Sequence, residues 1–379
     1  MGEIISGIGS FSKFDKMKKL YAGKRILLVT GKDSYSACGA ESVLTIALKD
    51  ENVMRFSDFE VNPKIEDAER GVALARDADV DLIIAVGGGS VIDMAKLIKA
   101  FYSTPKLSHE LAHGQATMSD PNIPLIVAPT TAGSGSEATH FAVVYIGLNK
   151  YSVASSLLLP EIVFLDGKLI TTGSSYQKAC NGLDALAQAI ESAWAVGSTN
   201  ISRAYSFEAV NLCVKYLKSV VENDADDMAL QGMLKAANLA GQAINISKTT
   251  AAHAWSYGIT SCYGIPHGHA VWLTLPVIFQ IHAKAIDETL IDPRGLAHLM
   301  SVMTTLMELL SISSSDHAEQ KLREYLVSID VSDNLSEIGV DTAEKGVVLS
   351  NMVNMQRMKN NPVRLEKDDI SNIFSSPTY

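Results

Sequence analysis

From residue 24 onward, short apolar runs alternate with stretches in which apolar residues recur every three to four positions. Residues 24–30 form such a run and stop at Gly31, as a strand covered on both faces would. A helix-like pattern follows over residues 37–49, and a second strand is expected over roughly 54–61. Residues 64–78 have helical period, with Ile65, Ala68, Val72, Leu74 and Ala75 on the apolar side. Strand 81–86, a helix over 91–101 and strand 123–129 continue the alternation, and residues 141–145, 150–155 and 161–166 read as further strands. Alternation of this kind predicts a parallel, doubly wound α/β unit. From about Ser174 long helical segments take over, at 176–194, 202–221, 225–246 and 295–311. The expectation is an α/β domain with a parallel sheet over residues 1–173 and an all-α domain over residues 174–379.

Two loops of the first half carry candidate binding chemistry. Strand 81–86 runs into Gly87, Gly88, Gly89 and Ser90, and a helix starts directly after. Glycines let the backbone approach a ligand closely, and the N–H groups of a helix start point outward, which suits a pyrophosphate. Asp93 would cap the first helical turn or reach toward the ribose or nicotinamide. The spacing is not that of the common GxGxxG fingerprint. Strand 123–129 leads into a second polar loop with Thr130, Thr131 and Ser134, at the end of a parallel strand where open sheets bind ligands. Lys150 completes the expected cofactor-binding set.

The second half carries a candidate metal set. Asp184 and Gln188 lie four apart, on one face of a helix. Downstream, His253, His267 and His269 are close together in sequence. A carboxylate with imidazoles is a reasonable shell for Zn2+ or Fe2+. An unpartnered Asp184 inside an apolar helix would be costly, which favours a cation beside it.

Composition narrows the function classes. The 379 residues are 47% hydrophobic and 20% charged, with a formal net charge of −10. That balance disfavours nucleic acid or an anionic membrane surface as partner, since both need a basic face. No apolar run is long enough to span a bilayer, and no signal peptide is visible. The four cysteines show no paired spacing and read as reduced thiols of a soluble, cytoplasmic protein.

Four ordered motifs give a resemblance. Residues 87–96 (GGGSVIDMAK), 128–139 (APTTAGSGSEAT), 182–192 (GLDALAQAIES) and 253–271 (HAWSYGITSCYGIPHGHAV) are together similar to the iron-containing, or group III, alcohol dehydrogenases. The resemblance spans about residues 5–370. It implies an NAD(P)-binding α/β domain, a helical domain with one divalent metal, catalysis in a cleft between them, and a homodimer. The family's metal ligands fall on Asp184, His253 and His267. Its fourth ligand is usually a histidine, and this chain has Gln188 there. Where many members have a histidine thought to move the proton, this chain has Tyr257, so Tyr257 or His269 is expected in that role. An aspartate common after the first strand of NAD-specific members is replaced by Gly31, followed by Lys32 and Asp33, which leaves NADP open.

Gln188, residues 245–254, the PHGHAV run and residues 357–364 look most like one branch of the family. Its members act on terminal alcohols or aldehydes of anionic compounds, among them phosphonoacetaldehyde reductase and 3-deoxy-manno-octulosonate 8-oxidase, the second being the preferred expectation. Lys248, Arg357 and Arg364 are candidates for holding the substrate anion. A dehydroquinate-synthase-like lyase and a non-catalytic binding protein are the competing readings.

Overall fold

The structure is a computed structural model. It describes residues 2–147, 149–222, 226–334, 336, 337, 339, 352, 353 and 355–365. The strands are β1 (Glu3–Ser6), β2 (Arg25–Thr30), β3 (Asn52–Phe56), β4 (Leu82–Gly87), β5 (Leu125–Pro129), β6 (Phe141–Ile146), β7 (Asn149–Ala154) and β8 (Ile162–Leu165). Among the described residues, six of them form a parallel sheet in the order β1-β8-β5-β4-β2-β3, while β6 and β7 form a separate antiparallel pair. The helices of this half are α1 (Ser34–Ala37), α2 (Ala40–Ala47), α3 (Ile65–Asp77), α4 (Gly89–Tyr102) and α5 (Ser108–Ala112).

The sheet is covered on both faces, as the continuous apolar runs require. Leu27, Val29, Ile83, Ala85, Leu125 and Val127 pack with Ile65 and Val72 of α3 and Ile98 and Phe101 of α4. Their neighbours in sequence, Ile26, Leu28, Ile84, Val86 and Ile126, point the other way into a core with Phe11, Phe14, Tyr21 and Leu44.

The expected elements recur with shifts. The second strand is β3, ending at Phe56 rather than near Val61. The helix after the glycine turn begins at Gly89, so the third glycine is its first residue. The helix expected over 37–49 is broken at Gly39, whose φ of 81° lies in the left-handed region. Strand β1, which pairs with β8, was not anticipated.

The helical half contains α6 (Ser175–Trp194), α7 (Asn200–Glu222), α8 (Asp227–Ser247), α9 (Ala251–Tyr263), α10 (His267–Trp272), α11 (Leu275–Ala283), α12 (Leu296–Leu309), α13 (Ala318–Val327) and α14 (Met355–Met358). A capping box starts α6: the Ser174 hydroxyl accepts from Gln177 N–H at 3.2 Å, and the Gln177 side-chain Oε1 accepts from Ser174 N–H at 3.1 Å.

The chain divides into two compact units, Met1–Gly173 with Asp224–Gly241, and Ser174–Asn223 with Gln242–Tyr379. The stretch 224–241, expected in the helical half, therefore groups with the sheet. Close packing explains this: a Cβ on Gly135 would lie 2.6 Å from Gly241 Cα, and Asn238 donates to Glu137 at 3.0 Å. All four cysteines are free thiols. Among the described residues, no helix is long and apolar enough to cross a membrane.

Candidate active site

In the first unit the glycine turn and the second polar loop lie against one another. A Cβ on Gly88 would stand 3.2 Å from Thr131 Oγ1, and one on Gly89 would stand 2.5 Å from Ser134 Oγ. Thr130 N–H donates to Gly87 O at 3.0 Å, where β4 and β5 end side by side. Helix α4 starts at this turn with no side-chain cap, leaving an N-terminus suited to an anion. Ser90 Oγ accepts from Asn62 N–H at 3.1 Å.

Asp93 sits differently from the expectation. Its carboxylate accepts from Ser136 Oγ and, at 3.1 Å, from Val143 N–H, so it ties α4 to the second loop and to β6. It does not cap the first turn of α4. Burial raises its pKa, against the opposing charges of Lys96 and Lys150. Lys150, on β7, thus lies near this carboxylate.

In the second unit α6 brings Asp184, Gln188 and Glu191 onto one face, at positions i, i+4 and i+7. All three are buried. Glu191 was missed in the sequence, although its spacing from Asp184 is the signal that places it on the same stripe. It serves the start of α9. One carboxylate oxygen accepts from Ala252 N–H at 2.9 Å, Thr250 N–H at 3.2 Å and Thr250 Oγ1 at 2.8 Å. An anion at a helix N-terminus is favourable. The other oxygen binds His253 Nδ1. With Nδ1–H donating to Glu191, Nε2 presents its lone pair, the arrangement by which a second carboxylate orients a metal-binding histidine.

His267 is held in a similar way. The Ser256 hydroxyl donates to His253 O at 2.8 Å and can accept from His267 Nδ1–H at 3.3 Å, which leaves Nε2 as the acceptor. Helix α10 lies directly on α6, because Gly268 has no side chain: a Cβ there would be 2.0 Å from Cys180 O. His253 Nε2 is 3.4 Å and His267 Nε2 4.0 Å from Asp184 Oδ1. The ligand atoms of Asp184, His253 and His267 all lie within 4.8 Å of one another.

Unmet hydrogen bonds test whether this set fits a metal. Asp184 Oδ1, Gln188 Oε1 and His253 Nε2 are buried without a hydrogen-bond partner. Buried polar atoms are almost always paired, so three orphans in one cluster fit a set of donors for a cation. Burial opposes charge on His253, but the Glu191 and Asp184 carboxylates outweigh it and push its pKa up to about 9. The cluster attracts positive charge. Carboxylate, imidazole and amide oxygen without thiolate suit Fe2+ or Zn2+.

Tyr257 and His269 separate here. Tyr257 stacks on His267, with ring centroids 5.9 Å apart and planes 13° from parallel. His269 is buried, its Nδ1 bonded to Tyr176 OH at 2.8 Å and its Nε2 to Ser332 O at 2.7 Å. Two positions apart on a short helix, His267 and His269 face different ways, and His269 turns its ring nitrogens to Tyr176 and Ser332 rather than to the cluster of Asp184, His253 and His267. Of the expected substrate cations, Lys248 and Arg364 are exposed and Arg357 is half-buried.

Family comparisons agree with both halves. The model described as iron-containing alcohol dehydrogenase matches residues 2–167, and that of the Fe-containing alcohol dehydrogenase family C-terminal region matches residues 178–378. Long-chain-alcohol dehydrogenase 1 of Geobacillus thermodenitrificans is 26% identical over 98% of this chain and 93% of its own. Phosphonoacetaldehyde reductase of Streptomyces viridochromogenes is 28% identical over 78% of this chain and 75% of its own. The crystal structure of sulfoacetaldehyde reductase from Bifidobacterium kashiwanohense, in complex with NAD+, superposes with a TM-score of 0.86 at 25% identity, covering 99% of this chain and 98% of that one. With a family model matched on each side of residue 174 and fold and length shared with its relatives, this chain belongs to the iron-containing alcohol dehydrogenase family.

Proposed function

We propose that the protein interconverts the terminal alcohol and aldehyde of a small anionic compound, using a nicotinamide dinucleotide at the glycine turn. Asp184, His253 and His267 would hold one Fe2+ or Zn2+ ion, and the Gln188 carbonyl oxygen would be a further donor. The observation that carries this reading is the cluster of orphaned donor atoms on three of those residues. When bound, the ion supplies Lewis acidity toward the oxygen on the reacting carbon. Glu191 and Ser256 keep both histidines in the metal-binding tautomer. Tyr257, flat against His267, handles the carbinol proton. Tyr257→Phe is expected to lower kcat about 10²-fold or more with metal content unchanged, the scale of one general acid–base contribution; wild-type kcat in that variant removes Tyr257 from the proton path.

The phosphonate and sulfonate carried by the two reductases' substrates support an anionic head group. In this chain Asn360 donates to Ser247 O at 2.8 Å and Thr249 O at 3.0 Å, the two neighbours of Lys248. This draws the segment of Arg357 and Arg364 to the chain that leads into His253, and those cations are the proposed anion partners. 3-Deoxy-manno-octulosonate, expected from the sequence, gains no support from these relatives and is the secondary candidate. Gly31 stands where NAD-specific members of the family often carry an aspartate, so NADP is proposed to be accepted beside NAD.

A substrate screen tests this reading. Phosphonoacetaldehyde, sulfoacetaldehyde, 3-deoxy-manno-octulosonate and uncharged aldehydes or alcohols are assayed with both cofactors and with Fe2+ or Zn2+. The anionic two-carbon aldehydes are expected to exceed uncharged ones about 10- to 100-fold in kcat/KM, the worth of one or two charge-assisted contacts. Equal turnover of charged and uncharged aldehydes contradicts the anionic substrate class.

A further inference from the structure

Gln188 stands beside the proposed ligands as a neutral amide, and its two ends do different things. It lies one turn after Asp184 on α6 and is only 4% exposed. Its side chain hydrogen-bonds the Asp184 carboxylate. A carboxylate only accepts, so Gln188 Nε2–H is the donor, which fixes the orientation of the amide. The other end, Oε1, is buried without a hydrogen-bond partner among the described residues, as are Asp184 Oδ1 and His253 Nε2. Leaving a buried amide oxygen unpaired is costly, and a cation relieves that cost where no donor does. Added to Asp184, His253 and His267, the amide makes a set of two oxygens and two imidazole nitrogens.

We infer that Gln188 sets which divalent ion this site retains: its amide oxygen tilts the choice from Zn2+ toward Fe2+ and Mn2+. The inference rests on the metal reading of the cluster given above. Most nitrogen and oxygen sites bind Zn2+ more tightly than Fe2+ or Mn2+, and the margin depends on the type of donor. Imidazole suits Zn2+ well, whereas carboxylate and carbonyl oxygens suit harder ions such as Mn2+. A nitrogen in the position of Gln188 Oε1 would widen the Zn2+ margin, and the oxygen narrows it. The bond to Asp184 keeps that oxygen in place, because a flipped amide would set Oε1 against the carboxylate. Glu191 and Ser256 hold the two imidazoles independently of Gln188. Replacing Gln188 therefore changes one donor and leaves the other three.

Metal competition tests this with no appeal to activity. Purified full-length enzyme is exchanged by anaerobic dialysis into metal-buffered mixtures of Zn2+ with Fe2+, or of Zn2+ with Mn2+. Bound ions are then counted by plasma mass spectrometry in the wild type, Q188H, Q188E and Q188A. Q188H supplies a nitrogen and is expected to raise both the Zn2+/Fe2+ and Zn2+/Mn2+ ratios about fivefold or more over the wild type. Q188E keeps an oxygen donor, so its ratios should stay within about twofold of the wild type. Q188A lacks the donor and should hold each ion about threefold or more weakly. Wild-type ratios in Q188H overturn the inference, as does Q188A with undiminished affinity for all three ions. If Q188H does not fold, Q188A and Q188E decide: undiminished binding in the first, or a shift toward Zn2+ of about fivefold in the second, overturns it. A wild type that retains none of the three ions defeats the metal reading, and this inference with it. Normal retention, with ratios and affinities indifferent to the residue at this position, defeats only the inference.

Discussion

Asp184→Ala is expected to reduce kcat by at least about a thousandfold, since the Lewis acidity it retains is worth several kcal/mol and each 1.36 kcal/mol is about tenfold in rate. Asp184 is the carboxylate of the ligand cluster, and its Oδ1 has no protein partner. Without it, two histidines and an amide oxygen remain, a neutral set that cannot offset the cation's desolvation. Glu191 does not replace it, because its oxygens are committed to His253 and to the N–H groups that open α9. Dinucleotide binding should survive, because the glycine turn and the loop at Thr130 belong to the other compact unit. The check is metal content, kcat and NADH affinity measured on one preparation. A variant that turns over near the wild-type rate refutes the ligand assignment. A variant that also loses NADH affinity places the damage in folding.

Gly268→Ala should be nearly as severe, for a reason of packing. A Cβ there would lie 2.0 Å from Cys180 O and 2.8 Å from Asp184 N, both backbone atoms of α6. Neither can swing aside as a side-chain tip would. Helix α10 must back away from α6, carrying His267 with it. Overpacking of this kind costs about 1–3 kcal/mol and at times more, and a ligand displaced by about 1 Å costs on the order of 10²-fold in rate. The expected result is a lower melting temperature, reduced metal occupancy and a fall in kcat of about 10²-fold or more. Full metal occupancy with an unshifted melt contradicts the close approach of the two helices.

The sequence revealed much of this fold because the period of its apolar residues is a local signal. β2, β4 and β5 are apolar on both faces, so their runs were unambiguous. β3 was placed too late because its residues Asn52–Phe56 mix polar and apolar positions, with exposed and half-buried side chains at all but its last position. β1 is four residues long and mostly exposed, too weak a pattern to stand out. That 224–241 groups with the sheet depends on Gly135 meeting Gly241, a contact between residues more than a hundred positions apart.

The candidate site divides along the same line. Asp184, His253 and His267 carried chemistry in their residue types and proved to be neighbours. Glu191 needed the observation that it continues the stripe of Asp184 and Gln188. Asp93 was expected to cap the first turn or to reach toward the ribose or nicotinamide, and the long-range partners Ser136 and Val143, which no local pattern shows, bond its carboxylate. His269, close to His267 in sequence and expected as an alternative to Tyr257 for moving the proton, is turned by the helical rotation toward Tyr176 and Ser332.

The central claim is that one cation sits among Asp184, His253 and His267. Anomalous diffraction from crystals of protein loaded with Fe2+ or Zn2+ addresses it directly, at wavelengths bracketing the metal edge. A single peak is predicted about 2.0–2.2 Å from Asp184 Oδ1, His253 Nε2 and His267 Nε2. A metal-loaded crystal with no peak there, or with its ion held by other residues, contradicts the account.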